Sequence, residues 1–130
     1  MAKNGSFTTS SEDGRSLTFK WNASQNVANN TSTISWSLVG SGSNTSEWVA
    51  CGNIKVVIDG TTVYSTGSDD RVRVYVGDVV ASGTHTITHN DDGTRSFSAS
   101  AQAGIYYYAV NCTGSGSFTL DTIARASQPS

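Results

Sequence analysis

Charge is scarce in this chain. Asp, Glu, Lys and Arg make up 14% of its 130 residues, against about a quarter in ordinary soluble domains. The eight basic residues are scattered among ten acidic ones, so no basic stripe exists to track a phosphate backbone, and no nucleic-acid partner is expected. No apolar run reaches the ~20 residues a spanning helix needs. The opening MAKNGSFTTSS has no apolar centre, so neither membrane insertion nor a cleavable leader is expected. A helical apolar period is missing throughout, which sets a helical fold aside. Cysteine is limited to Cys51 and Cys112. With two histidines they form no zinc pattern. A disulfide between them would close a loop of about 60 residues and add about a few kcal/mol; two separate, half-buried thiols are the other reading, and spacing leaves both open. No GxSxG elbow and no twelve-residue calcium loop occur, so no catalytic residue, metal or cofactor is assigned and the chain is not expected to be an enzyme.

What is abundant is Ser, Thr, Asn and Gly in a recurrent period of two. Leu17, Phe19 and Trp21 share one phase while Ser16, Thr18, Lys20 and Asn22 share the other. Ile34, Trp36 and Leu38 alternate with Thr33, Ser35 and Ser37 in the same way. Such alternation marks strands with one buried and one wet face. Gly5–Thr9, Ile54–Ile58, Thr61–Tyr64, Arg71–Val76, Ile105–Val110 and Ser117–Asp121 read as further strands. Asp59-Gly60 is a hairpin dipeptide, Gln25–Asn30 reads as a polar connection, and Gly114-Ser115-Gly116 reads as a break between strands. The expectation is an all-β antiparallel β-sandwich of about eight or nine short strands, immunoglobulin-like or Greek-key in architecture. The residues divide into one domain, 1–123, and a polar exit, 124–130, expected to lead to a following module.

The stretch Thr84–Ala101 carries the pattern most plainly: two alternating runs flank Asn90-Asp91-Asp92-Gly93, which reads as a hairpin and its turn. His85 and His89 precede that turn. Beside Asp91 and Asp92 they invite a metal or acid–base reading, but turn carboxylates are ordinarily solvated, and a histidine bonded to the turn is the favoured reading. Tyr106, Tyr107 and Tyr108 are consecutive, so a strand sends them to opposite faces. With Tyr107 inward, Tyr106 and Tyr108 face out; Trp48 follows a long Gly/Ser loop and is placed at a rim. These three aromatics are the candidate ligand-binding residues, suited to sugar rings or to a protein interface, with cross-strand packing as the alternative.

Three stretches carry a family likeness: Ala28–Trp36 (ANNTSTISW), Thr88–Thr94 (THNDDGT) and Leu120–Ser127 (LDTIARAS). In this order they resemble the minor structural, tail-associated proteins of siphophages and prophages of Gram-positive bacteria, a family of unknown function. The ending departs from the family's in having Ala124 where Pro often precedes the Arg, which leaves the chain exit less rigid. The resemblance implies a β-sandwich module of a virion tail, synthesised in the bacterial host cytoplasm, with other phage tail proteins as partners and a homo-oligomer possible in the full-length protein. It implies no catalytic residues. Expected of such a module is host attachment, through weak multivalent contact with a host cell-surface glycan or by presenting a receptor-binding module. The alternatives are a purely structural spacer and, further off, an accessory domain of a cell-wall hydrolase.

Overall fold

The computed structural model describes residues 3–11, 14–43, 53–67, 75–104 and 112–124. Within them run eight strands: β1 (Asn4–Thr8), β2 (Ser16–Asn26), β3 (Thr31–Ser41), β4 (Lys55–Ile58), β5 (Thr61–Ser65), β6 (Val79–Thr88), β7 (Ser96–Ala103) and β8 (Cys112–Thr119). They form two antiparallel four-stranded sheets, ordered β1-β2-β3-β6 and β5-β4-β7-β8. This is the β-sandwich that the alternation indicates. The chain changes sheet after β3, after β5 and after β6.

The core follows the phases read from the sequence. Leu17, Phe19 and Trp21 of β2 and Ile34, Trp36 and Leu38 of β3 are buried together with Val56, Ile58, Phe97, Ala99, Ala101 and Ala103 of the opposite sheet. One sheet contributes the large rings and β7 contributes three alanines, so the inner faces can interdigitate at ordinary sandwich spacing. The register sets Gly5, Trp21, Trp36 and Gly83 side by side across all four strands of the first sheet. The indole of Trp21 lies over Gly5, where an added Cβ would come within 2.7 Å of Nε1. The same ring meets Phe97 and Phe118 edge-on, with centroids 5.0 and 5.1 Å away.

Local turn chemistry also holds. Asp59 and Gly60 take φ of 52° and 78° between the paired residues Ile58 and Thr61, a two-residue turn with both φ positive, as a type I′ hairpin requires.

Three expectations are corrected. Thr84–Ala101 is not a hairpin: β6 bonds to β3 in one sheet, while β7 bonds to β4 and β8 in the other. The Asn90–Gly93 turn is therefore an arch between sheets. Period-two alternation fixes which face each side chain takes, but names no neighbouring strand. Gln25–Asn30 is not wholly a connection, because β2 continues to Asn26 and pairs with Thr31; a hairpin that runs past the core keeps its backbone bonds while its side chains turn polar. Gly114–Gly116 is not a break but the middle of β8, opposite Ala99–Ala101. The reason is proximity: a Cβ on Gly114 would stand 2.9 Å from the Thr9 Cα, so these positions let β1 close over β8. β6 runs unbroken from Val79 to Thr88. The strand expected at Arg71–Val76 lies largely outside the described residues, and that at Ile105–Val110 wholly so.

Candidate functional site

The arch is built around a buried imidazole. His89 follows Ile87 on the inward phase of β6 and is 4% exposed. Its Nδ1 lies 2.7 Å from the Gly93 carbonyl, which can only accept, so Nδ1 carries a proton. In the neutral ring Nε2 is then the acceptor for the Ser32 hydroxyl, at 2.6 Å. Asn30, at φ 57° in the β2–β3 turn, donates from Nδ2 to the carbonyls of His89 and Asn90, at 3.1 and 2.8 Å. The His89 N–H returns a bond to the Asn30 carbonyl at 2.8 Å. The Gly93 carbonyl also accepts from the Ile123 N–H at 3.0 Å, and Leu120 N–H donates to the Arg95 carbonyl at 2.9 Å. Arg95 in turn donates from Nε to the Thr88 carbonyl at 3.1 Å and pairs through Nη2 with the Asp59 carboxylate. Three distant pieces of chain, the β2–β3 turn, the arch and the segment after β8, are thus tied at one end of the sandwich.

Serine, histidine and an orienting carbonyl in series have the connectivity of a hydrolytic relay. Ser32, however, has 0% of its surface exposed, and its hydroxyl is engaged by the imidazole inside the fold. The relay locks the turn. His85 sits half-buried on β6, opposite Ile34, away from this network. Among the described residues no three His, Cys, Asp or Glu side chains gather as a metal site.

Asp92 caps the arch from its solvent side. Its Oδ1 accepts from the Thr94 hydroxyl at 2.6 Å and the Thr94 N–H at 3.0 Å. The hydroxyl first, and the N–H after it, hold the carboxyl below its ordinary range. A carboxyl depressed in the folded state stabilises above its unfolded pKa, and that contribution is lost as pH falls through the folded value. Asp92 is therefore expected to titrate below an unperturbed aspartate in side-chain NMR, and Thr94→Ala to bring it back up. An unchanged titration in Thr94→Ala would show that the hydroxyl does not hold it.

The candidate aromatics Trp48, Tyr106 and Tyr108 lie outside the described residues, as does Cys51. Cys112 is buried, its Sγ 3.6 Å from the Arg15 carbonyl. What the described residues bring together instead are polar faces. Outward from the first sheet run Asn4–Asn22–Ser35–Thr84, Ser6–Lys20–Ser37–Ser82 and Ser24–Thr33–Thr86. An open depression of about 280 Å³ lies among Lys20, Asn22, Ser35 and Ser37, above the two tryptophans. The other sheet presents Ser96–Thr119, Ser98–Ser117, Ser100–Ser115 and Gln102–Thr113.

These features define a two-sheet all-β module clothed in hydroxyls and amides and tied at one end by a buried polar network. The chain belongs to the family described as Siphovirus protein of unknown function (DUF859), whose profile matches residues 6–130. Membership implies a structural protein of a phage, made in its host. No curated protein and no solved structure matches the chain. The three stretches that carry the family likeness, Ala28–Trp36, Thr88–Thr94 and the described part of the third, Leu120–Ala124, are the ones that meet at the arch.

Proposed function

We propose that this chain is a non-enzymatic module of the phage tail that aids attachment to the host by weak, multivalent contact with surface glycans. The observation that carries this is the outer face of the β1-β2-β3-β6 sheet. Its three rows from Asn4, Ser6 and Ser24 bear hydroxyls and carboxamides, with Lys20 the one charged side chain among the described residues there, and Val39 and Val79 make one end apolar. Such groups both donate and accept, as sugar hydroxyls do, and a nearly uncharged face is cheap to desolvate. A few hydrogen bonds per copy give weak binding; many copies on one particle make it useful.

A second reading is a spacer that packs against other tail proteins. It is favoured by the exposed apolar residues at the entry to β6, where Val79 is 61%, Val76 40% and Tyr75 38% exposed. Apolar residues gathered at the surface suit a protein contact.

The test is a glycan array that includes Gram-positive wall polysaccharides, probed with the chain displayed multivalently. A reproducible signal is expected, weakened by Asn22→Ala with Ser35→Ala on the sheet face, or by Trp48→Ala, Tyr106→Ala or Tyr108→Ala. Silence from folded protein would transfer the assignment to the spacer, with β6 entry as its contact.

A further inference from the structure

The first sheet ends at β6, and among the described residues no strand lies on its far side. Which backbone groups of β6 face that side follows from the ladder. The His89 N–H donates to the Asn30 carbonyl at 2.8 Å, one step beyond the paired residues Thr31 and Thr88. Bonded and unbonded positions alternate in an antiparallel pair, so Ile87, His85, Gly83 and Ala81 bond to β3. Ser82, Thr84 and Thr86 therefore turn their N–H and C=O groups away from it. Thr88 shares their phase, and its carbonyl is the one that Arg95 Nε reaches at 3.1 Å. The rest of the sheet agrees. Ala23 bonds to Lys3 and Leu17 to Thr9, so alternate residues of β2 face β1, and Asn22 is left to bond with its partner Ser35 on β3.

This edge is open in its middle. Ser82, Gly83 and Thr84 are all exposed, although Gly83 lies on the inward phase opposite Trp36. Natural edges are blunted by charge, proline, bulges or a covering segment, because an unblunted one is a template for another strand. β6 reads VVASGTHTIT, with neither proline nor Asp, Glu, Lys or Arg. Only its ends are blunted: Arg95 occupies the Thr88 carbonyl, and the register slips between Leu38 and Val39, opposite Ala81 and Val79. The open window is Ser82–Thr86, and Thr84 is its centre.

We propose that this window pairs antiparallel with the same window of a second copy of the chain, about a two-fold axis at Thr84. In that register Thr84 meets Thr84 and Ser82 meets Thr86, each as a hydrogen-bonded pair, for about six backbone bonds. A second copy fits better than an arbitrary strand because the window is symmetric: each outward residue finds its counterpart, and both blunted ends stay beyond the ladder. The side chains agree. On the outer face hydroxyl meets hydroxyl, a favourable cross-strand pairing that Thr33 and Thr86 already make within the chain at 3.3 Å. On the inner face His85 of each copy stands opposite Gly83 of the other, so no two charged side chains are brought together. The contact is isologous and closes as a dimer, joining two polar faces into one. It stands whether or not that face binds glycan.

Five residues a side fall far short of the ~20–30 of a standard interface, so the free chain is expected to associate weakly, at roughly 0.1–1 mM. The experiment is sedimentation equilibrium of the whole chain over that range in about 0.1 M salt, with hydrogen exchange read at each concentration. Expected are a monomer–dimer equilibrium and amides of Ser82, Thr84 and Thr86 that slow as concentration rises. Thr84→Lys sets two ammonium groups together on the axis and is expected to weaken the dimer at least about tenfold, with part recovered at high salt. Thr84→Pro removes an outward N–H that β3 does not use and is expected to abolish pairing; where it does not fold, Thr84→Lys decides. Asn22→Lys puts the same charge on the same face, roughly 24 Å from its counterpart in the dimer, and is expected to leave association unchanged. A chain that stays monomeric throughout, a dimer indifferent to Thr84→Lys, or protection confined to other residues would overturn the proposal. Protection of these amides by a synthetic Val79–Thr88 peptide, in a chain that stays monomeric, would also overturn it and assign the edge to a foreign strand.

Discussion

His89→Ala is expected to lower the stability of the fold by about 2–4 kcal/mol, and its melting temperature by roughly 8–15 °C for a domain of this size. The substitution leaves three consequences in one place. The Ser32 hydroxyl loses its acceptor, the Gly93 carbonyl loses the Nδ1 donor, and a ring-sized void opens where a 4% exposed side chain stood. Each buried polar group left alone costs about 1–3 kcal/mol, although the Gly93 carbonyl keeps its bond from Ile123. Ser32→Ala alone is expected to cost about 1–3 kcal/mol, since it strands Nε2. In the double variant the two losses should fall short of their sum by about 1 kcal/mol or more, the mark of groups that act on one another. Urea melts of the four proteins close that cycle. Hydrogen exchange at the Ile123 amide should also quicken in His89→Ala, because the carbonyl it bonds is no longer anchored. A His89→Ala protein within about 0.5 kcal/mol of the parent would mean that the arch is held by its backbone bonds and Asn30 alone.

That network also marks the limit of what the sequence makes legible. The faces of β2 and β3 are readable because alternation is local and the core is apolar. Asp59-Gly60 is readable because a two-residue turn writes its φ requirement into two adjacent residues. Ser32 and His89 each carry a signal of the same kind: Ser32 shares the phase of Ile34, Trp36 and Leu38, and His89 that of Ile87. A polar residue on a buried phase announces a buried hydrogen bond. Its partner is not announced, because the two lie 57 positions apart and meet only once β6 is known to pair with β3. The same missing fact turns the expected hairpin into an arch. The bonds from Ala23 N–H to the Lys3 carbonyl and from Gln25 to the Asp121 carbonyl are further still from sequence reading, since they tie both ends of the described chain to β2. The aromatic candidates fall outside the described residues, so the binding assignment passes from rings to the hydroxyls and amides of the sheet face. The likeness across Ala28–Trp36, Thr88–Thr94 and Leu120–Ser127, by contrast, has a physical basis: the described parts of these stretches form one hydrogen-bonded network.

Gly114→Val is expected to destabilise by about 2–3 kcal/mol, against the direction that strand preference alone gives. Valine suits a strand better than glycine by up to about 1 kcal/mol, and Gly114 lies mid-strand, paired with Ala101. Judged by propensity, the substitution should stabilise. The opposing effect is close approach. A Cβ here would stand 2.9 Å from the Thr9 Cα, and 3.2 Å from Phe7 Cδ1 and the Thr8 carbonyl. Two of the three are backbone atoms, which do not swing aside as a flexible side chain would. Relief requires β1 to lift from β8. That would strain the bonds from Thr9 N–H to the Leu17 carbonyl at 2.8 Å and from Ser10 N–H to the Thr113 carbonyl at 2.9 Å, and loosen the stacking of Phe7 on Phe19 at 5.1 Å. Overpacking of a close-packed site costs about 1–3 kcal/mol and occasionally more, so the steric effect outweighs the propensity gain. Ser115→Val is the control: Ser115 is exposed and on the outward phase, so the change should stay within about 0.5 kcal/mol. The pair is read by urea midpoint and by hydrogen exchange at the Thr9 and Ser10 amides, which should quicken in Gly114→Val and not in Ser115→Val. A Gly114→Val protein as stable as Ser115→Val would show that β1 does not close over β8, and that Gly114–Gly116 serves some purpose other than letting the two sheets meet at that edge.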